Sequence, residues 1–164
     1  MRVKATLSTA GLLALLCLLP ANAHAQAAAP APPASADDSI PSAQLLQPED
    51  LVPLLGRSGS EKPLVLMVGP RVFYAEAHIP GSEYIGATNQ ESGLQALKDR
   101  VKSLPHDEFI VLYCGCCPWK KCPNVRPAYQ QLAALGFSRV KALSIADNFG
   151  KDWVTKGYPV EKGR

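Results

Sequence analysis

Four cysteines, Cys114, Cys116, Cys117 and Cys122, fall within nine residues in the pattern C-x-C-C-x4-C. Thiols at this density can bridge, exchange sulfur with one another or with a substrate, or hold a soft metal ion. The apolar residues 109–113 precede the cluster, and Asn124, a residue type suited to starting a helix, follows it. That order puts Cys114 at the carboxyl end of a buried strand and the other thiols in the loop leading to a helix, which is where α/β sheets bind ligands. A helix N-terminus and the cations Lys120, Lys121 and Arg126 favour a thiolate over a thiol. The same backbone N–H groups cradle anions. Position and spacing therefore predict a nucleophilic sulfur on Cys114 beside an anion site.

Structural bridging explains the cluster poorly. A disulfide stabilises mainly by closing a long loop in the unfolded chain, and no pairing here closes more than the seven residues between Cys114 and Cys122. Cys116 and Cys117 are adjacent, which makes a strained pair. A soft ion, Cu(I) or Zn, would instead take Cys114, Cys116, Cys117 and Cys122 as thiolates. The spacing follows neither the paired C-x2-C of zinc sites nor the C-x2-C-x2-C run of iron–sulfur proteins. Thiol–disulfide exchange is a further use of the same residues.

The elements that must position this loop show as apolar runs and helical periods. Residues 64–68, 109–113 and 140–145 are runs of strand length, polar-free enough to be buried on both faces as parallel strands are. The spacing of Leu94, Leu97, Val101 and Leu104 predicts a helix over 91–104, stopped by Pro105. A second helix starts at Asn124, carries Tyr129, Leu132 and Ala133 on one face and ends at Gly136. Shorter helices are expected over 48–55, with Leu51, Leu54 and Leu55 on one face, and over 152–156, with Trp153 packed inward and Gly157 as its stop. Strands alternating with helices make this an α/β domain, a central parallel sheet flanked by helices on both faces.

On these residues the chain resembles the rhodanese family. His78-Ile79-Pro80-Gly81 is similar to that family's H-I-P-G turn, with Tyr74 upstream where its aromatic residue falls. Leu135 to Val140, then Trp153, Gly157, Pro159 and Val160, are similar to its ending. The resemblance covers nearly all of the folded part and implies a rhodanese-like fold and a thiosulfate-type sulfurtransferase. It implies Cys114 as the catalytic cysteine, taking sulfane sulfur as a persulfide and passing it to a nucleophilic acceptor. It further implies that the loop backbone with Lys120, Lys121 or Arg126 holds the anionic donor. Cys116, Cys117 and Cys122 are then redox or resolving thiols, which release sulfide or leave a disulfide. The partners so implied are a small sulfur-containing anion and a thiol or other sulfur acceptor, with no cofactor, and His78 fixes its turn rather than acting as a base. Two features differ from the family pattern. Met67 and Gly69 stand where it commonly has an Asp and an Arg, and the cysteine loop is longer. The alternative is a rhodanese-fold module without turnover, holding a soft metal or a partner protein through the C-x-C-C-x4-C loop. Phosphatase relatives of the fold use C-x5-R, but Lys120 occupies the arginine position here and lacks the bidentate fork that grips a phosphoryl group.

The N-terminal residues read as an address. Arg2 and Lys4, the apolar run 11–19 and the small residues before Gln26 have the order of a secretory signal peptide, with Ala23-His24-Ala25 placing cleavage after Ala25 and the site after Ala23 as the alternative. The run is about half the 20 apolar residues that a spanning helix needs, so no stable membrane insertion is expected after cleavage. Leu16 before Cys17 is too large for a lipidation site, and cleavage after Ala25 removes Cys17. The expected organisation is a signal peptide over 1–25, an Ala/Pro-rich flexible linker over 26–39 and the folded domain over 40–164, secreted or periplasmic. Without Arg2 and Lys4, 15 basic residues face 14 acidic ones, a net charge of +1. No field of that size argues for nucleic acid.

Overall fold

The structure is a computed structural model and describes residues 40–163. The expected signal peptide and linker lie outside the described residues. In chain order the strands are β1 (Leu45–Leu46), β2 (Leu64–Met67), β3 (Glu83–Tyr84), β4 (Ile110–Tyr113) and β5 (Val140–Leu143). The helices are α1 (Pro48–Leu51), α2 (Arg71–Glu76), α3 (Glu91–Val101) and α4 (Val125–Ala134). The five strands form one sheet in the order β1-β5-β4-β2-β3, and every pairing is parallel. This is the predicted α/β architecture with apolar material on both faces of the sheet.

The central strand β4 shows why. All four of its residues are buried, and alternate side chains must point to opposite faces. Ile110 and Leu112 join Leu97 and Val101 of α3 and Val125, Ala128 and Leu132 of α4 in one core. Val111 and Tyr113 join Leu51, Tyr74, Ile79, Phe149 and Trp153 in the other. Cys114 continues the register of Ile110 and Leu112, so its side chain enters the α3–α4 core. That alternation, one residue beyond the strand, aims the first thiol of the cluster.

Several expectations need correction. The first helix has one α turn, Pro48–Leu51, and continues as a 3-10 turn over Val52–Leu54, because Pro53 has no N–H to give an α ladder. The helix over 91–104 ends at Val101, and the strand expected to reach Ile145 ends at Leu143. The last helix is a five-residue π-helical turn, Gly150–Val154, with Trp153 fully buried as expected. Ala133 is exposed; the buried stripe of α4 is Val125, Ala128 and Leu132. Asn124 does precede α4, but its side chain makes no capping bond. The H-I-P-G turn is knit by its neighbours. The His78 ring stacks on Tyr74 at 3.9 Å between centroids, and its Nδ1 lies 2.8 Å from the Tyr74 carbonyl. The Tyr74 hydroxyl donates to the Ser82 carbonyl at 2.7 Å. Among the described residues no helix is long and apolar enough to cross a membrane.

Candidate functional site

Cys114 sits where β4 ends. Val68, immediately after β2, donates its N–H to the Tyr113 carbonyl, which carries the pairing to the edge of the cluster. Gly69 follows, and its missing side chain leaves the space that the Cys114 sulfur occupies: a Cβ there would lie 2.5 Å from Cys114 Sγ. The loop then folds back over the sheet end. Trp119 donates its backbone N–H to the Ile145 carbonyl, and Phe149 donates to the Gly115 carbonyl. A 3-10 turn, Trp119–Lys121, delivers Cys122 to the start of α4.

This fold-back brings the thiols together. The Sγ atoms of Cys114, Cys116 and Cys122 all lie within 4.8 Å of one another, with Cys114 to Cys116 at 3.4 Å. Cys117 Sγ is 2.8 Å from Cys116 Sγ and stands outside that trio. Cys114 and Cys122 are 2% and 4% exposed, while Cys116 and Cys117 are half-buried. All four are free thiols. Asn124, buried behind them, accepts the Asn89 N–H on its Oδ1 and points its Nδ2 at Cys114 Sγ from 3.9 Å. The Asn124 carbonyl accepts the Thr88 hydroxyl at 2.6 Å.

The thiols differ in acidity, and not as the sequence suggests. The hydrogen bond from Cys114, together with the N–H groups of Val125 and Asn124, holds Cys122 below the ordinary thiol range despite its burial. Donating that bond to Cys122, together with desolvation, pushes the Cys114 thiol up; the Cys116 N–H opposes the rise. Burial also raises Cys117. The helix N-terminus was expected to favour a thiolate on Cys114. The loop instead places Cys122 against α4, where the hydrogen bond from Cys114 and the N–H groups of Val125 and Asn124 favour its thiolate.

The expected cations are spread around the loop. Lys120 and Arg126 line a cleft of about 260 Å³ with Trp119 and Ile40, and the Lys120 ammonium lies over the Trp119 ring. Lys121 is exposed. A larger cleft, about 410 Å³, opens on the other side of the loop and is lined by Gly115 and Cys116, with Phe73, Phe149, Glu76 and Lys162 among its walls. Of the four cysteines only Cys116 lines it. Arg71, close in sequence to the position where the family carries its arginine, lies over the Tyr84 ring. Sequence reasoning missed Gly69 and Asn124 as parts of the site and Lys162 as a cation of the larger cleft. Gly69, directly after an apolar strand beside β4, is the one of these with a readable signal.

Comparison of the sequence with protein-family models and with curated proteins found no match. Comparison with solved structures found the rhodanese-like domain of the Alr3790 protein from Anabaena sp., 21% identical with a TM-score of 0.52 over 73% of this chain and 79% of that one. It also found the BH2092 protein from Bacillus halodurans, 26% identical, TM-score 0.52, over 71% of this chain and 75% of that one. A third similar structure is EanB in complex with hercynine, 20% identical, TM-score 0.52, where 73% of this chain matches 27% of the larger protein. The domain has the rhodanese-like fold, with a cluster of four free cysteines at the carboxyl end of its central strand.

Proposed function

We propose that this protein is an exported sulfurtransferase that carries sulfane sulfur as a persulfide on Cys114 and uses Cys116 as its resolving thiol. The observation that carries the reading is the position of Cys114 Sγ, at the carboxyl end of the central strand and 3.4 Å from Cys116 Sγ. Thiosulfate is the model donor. Cys114 sulfur attacks the outer sulfur of thiosulfate, the S–S bond of the donor breaks, and sulfite leaves with the bonding pair. The Cys114 proton passes to the Cys122 thiolate, and the products are a Cys114 persulfide anion, a Cys122 thiol and sulfite. An external thiol acceptor can then take the outer sulfur. Alternatively Cys116, as a thiol, attacks the inner sulfur, hydrosulfide leaves, and a Cys114–Cys116 disulfide remains for an external thiol to reduce. The Cys116 N–H directed at the Cys114 sulfur supports an anion there. The cleft lined by Cys116 and Lys162 suits approach of a small anionic donor. Export rests on the N-terminal residues alone.

The test is the intact mass of the reduced protein before and after thiosulfate, with Cys114→Ser as control. A gain of one sulfur atom that disappears in Cys114→Ser is the expected result. No gain in the wild-type protein, or an equal gain in Cys114→Ser, overturns the reading for this donor. Cys116→Ser should keep the gain and lose the later release of sulfide.

A further inference from the structure

The geometry of the three converging sulfurs points to a second ligand. We propose that Cys114, Cys116 and Cys122 form a three-thiolate site for one Cu(I) ion, with Cys117 outside the coordination shell.

Distances set the coordination number. Thiolates bind such ions at about 2.3 Å, so three of them surrounding one ion in a plane stand about 4.0 Å apart by simple trigonometry. Cys114, Cys116 and Cys122 already lie within 4.8 Å of one another, and the 3.4 Å between Cys114 and Cys116 needs only a small opening of the loop. Cys117 does not fit as a fourth ligand. It is not among the sulfurs that lie within 4.8 Å of one another, and its sulfur, 2.8 Å from Cys116 Sγ, would have to move further than any of the trio to share one ion.

Ligand chemistry selects the ion. Among the described residues no His, Asp or Glu joins the trio. Soft thiolates suit both Zn and Cu(I), but zinc favours four protein ligands in a closed site and three with a water in an open one, whereas three thiolates alone complete a Cu(I) site. Cys114 and Cys122 are buried in the α3–α4 core, and of the trio only Cys116 lines the larger cleft. The surroundings also supply the donors that orient thiolates and offset their charge. The Asn124 amide faces Cys114, and the N–H groups of Cys116, Asn124 and Val125 face the Cys114 and Cys122 sulfurs. Binding forms three Cu–S bonds, displaces the remaining thiol protons to solvent and changes no oxidation state. Cu(I) is supplied as such.

The test is anaerobic titration of the reduced protein with Cu(I) in the presence of bicinchoninate, whose coloured Cu(I) complex reports the copper withdrawn. One equivalent should be withdrawn. Cys117→Ser should bind within about twofold of wild type. Cys122→Ser should weaken binding by about 100-fold or more, since losing even an outer-shell partner costs 10–100-fold. No withdrawal, or equal loss in Cys117→Ser and Cys122→Ser, overturns the site. X-ray absorption of the copper-loaded wild-type protein decides independently of any variant's folding. Three sulfur scatterers at about 2.3 Å are expected, and two or four refute the assignment. Retention of one Zn(II) in the presence of an equal amount of Cu(I) overturns the choice of ion. Sulfur loading from thiosulfate is measured separately, so a protein that takes sulfur without copper, or copper without sulfur, shows which of the two readings has failed.

Discussion

Gly69→Ala probes the site through a single methyl group. The added Cβ would lie 2.5 Å from Cys114 Sγ and 3.2 Å from the Met67 methyl, where carbon contacts are most favourable at about 3.5–4.0 Å. The sulfur must therefore retreat by about 1 Å. Cysteine has one side-chain torsion, so retreat means rotating away from Cys116 and Asn124 or shifting the end of β4. Overpacking of this kind costs about 1–3 kcal/mol. Gly69 is not among the glycines with positive φ, so alanine brings no backbone strain, and relief of chain entropy alone would stabilise by about 0.4–1 kcal/mol. The assay is urea denaturation of Gly69→Ala in wild-type and Cys114→Ala backgrounds. The penalty should appear only when the sulfur is present, giving a coupling of about 1–3 kcal/mol. Persulfide loading, where a misplacement of about 1 Å can cost about 100-fold, should fall with it. An equal penalty in both backgrounds would refute the packing of Cys114 against Gly69.

Three further outcomes test the frame around the site. Gly93→Ala should destabilise by about 3 kcal/mol, at the upper end of overpacking costs, because its Cβ would sit 2.3 Å from the Ala87 carbonyl oxygen, and backbone cannot rotate aside; an unchanged urea midpoint would contradict this. Trp153→Ala should cost about 3–5 kcal/mol, since the indole is fully buried, stacks on Phe149 and donates to the Pro159 carbonyl at 2.8 Å; thermal melting checks it, and the Phe149 wall of the larger cleft should loosen with it. The Arg100 guanidinium grips Glu83 with two hydrogen bonds and holds its carboxyl below the ordinary range. A depressed carboxylate contributes stability above its unfolded pKa of about 4.3 and loses it as pH falls through the folded value. In this half-exposed pair the contribution stays below about 1 kcal/mol, and Glu83→Gln should remove that part of the acid-side slope in a denaturation series.

How much could be read from the sequence depended on the length of each signal. β2, β4 and β5 are four residues each and carry dense apolar runs, so they were readable together with α3 and α4. β1 and β3 are two-residue strands with half-buried side chains; backbone pairing with β5 and β2 creates them, and no periodicity marks two residues. α2 is only six residues long and buries just Tyr74, too little for a helical stripe. The aim of Cys114 followed from alternation with Ile110 and Leu112. Which thiol is the more acidic did not, because it depends on which sulfur faces the N–H groups of Asn124 and Val125, and the fold-back fixed by Trp119 and Ile145 gives those donors to Cys122.

Burial ranks the four thiols by access, and the ranking constrains any chemistry at this loop. A small molecule entering the larger cleft meets Cys116 before the buried pair Cys114 and Cys122. Sulfur carried as proposed on Cys114 would leave past Cys116, the one of the four thiols that lines this cleft. The same burial makes Cys114 a poor target for bulky alkylating agents, so labelling yields would report the accessibility of Cys116 rather than the proposed role of Cys114. Copper bound as proposed and sulfane sulfur carried as proposed would require the same Cys114 sulfur atom. One loaded state must then exclude the other, and the extent to which Cu(I) blocks persulfide formation measures directly how far the two uses share a ligand.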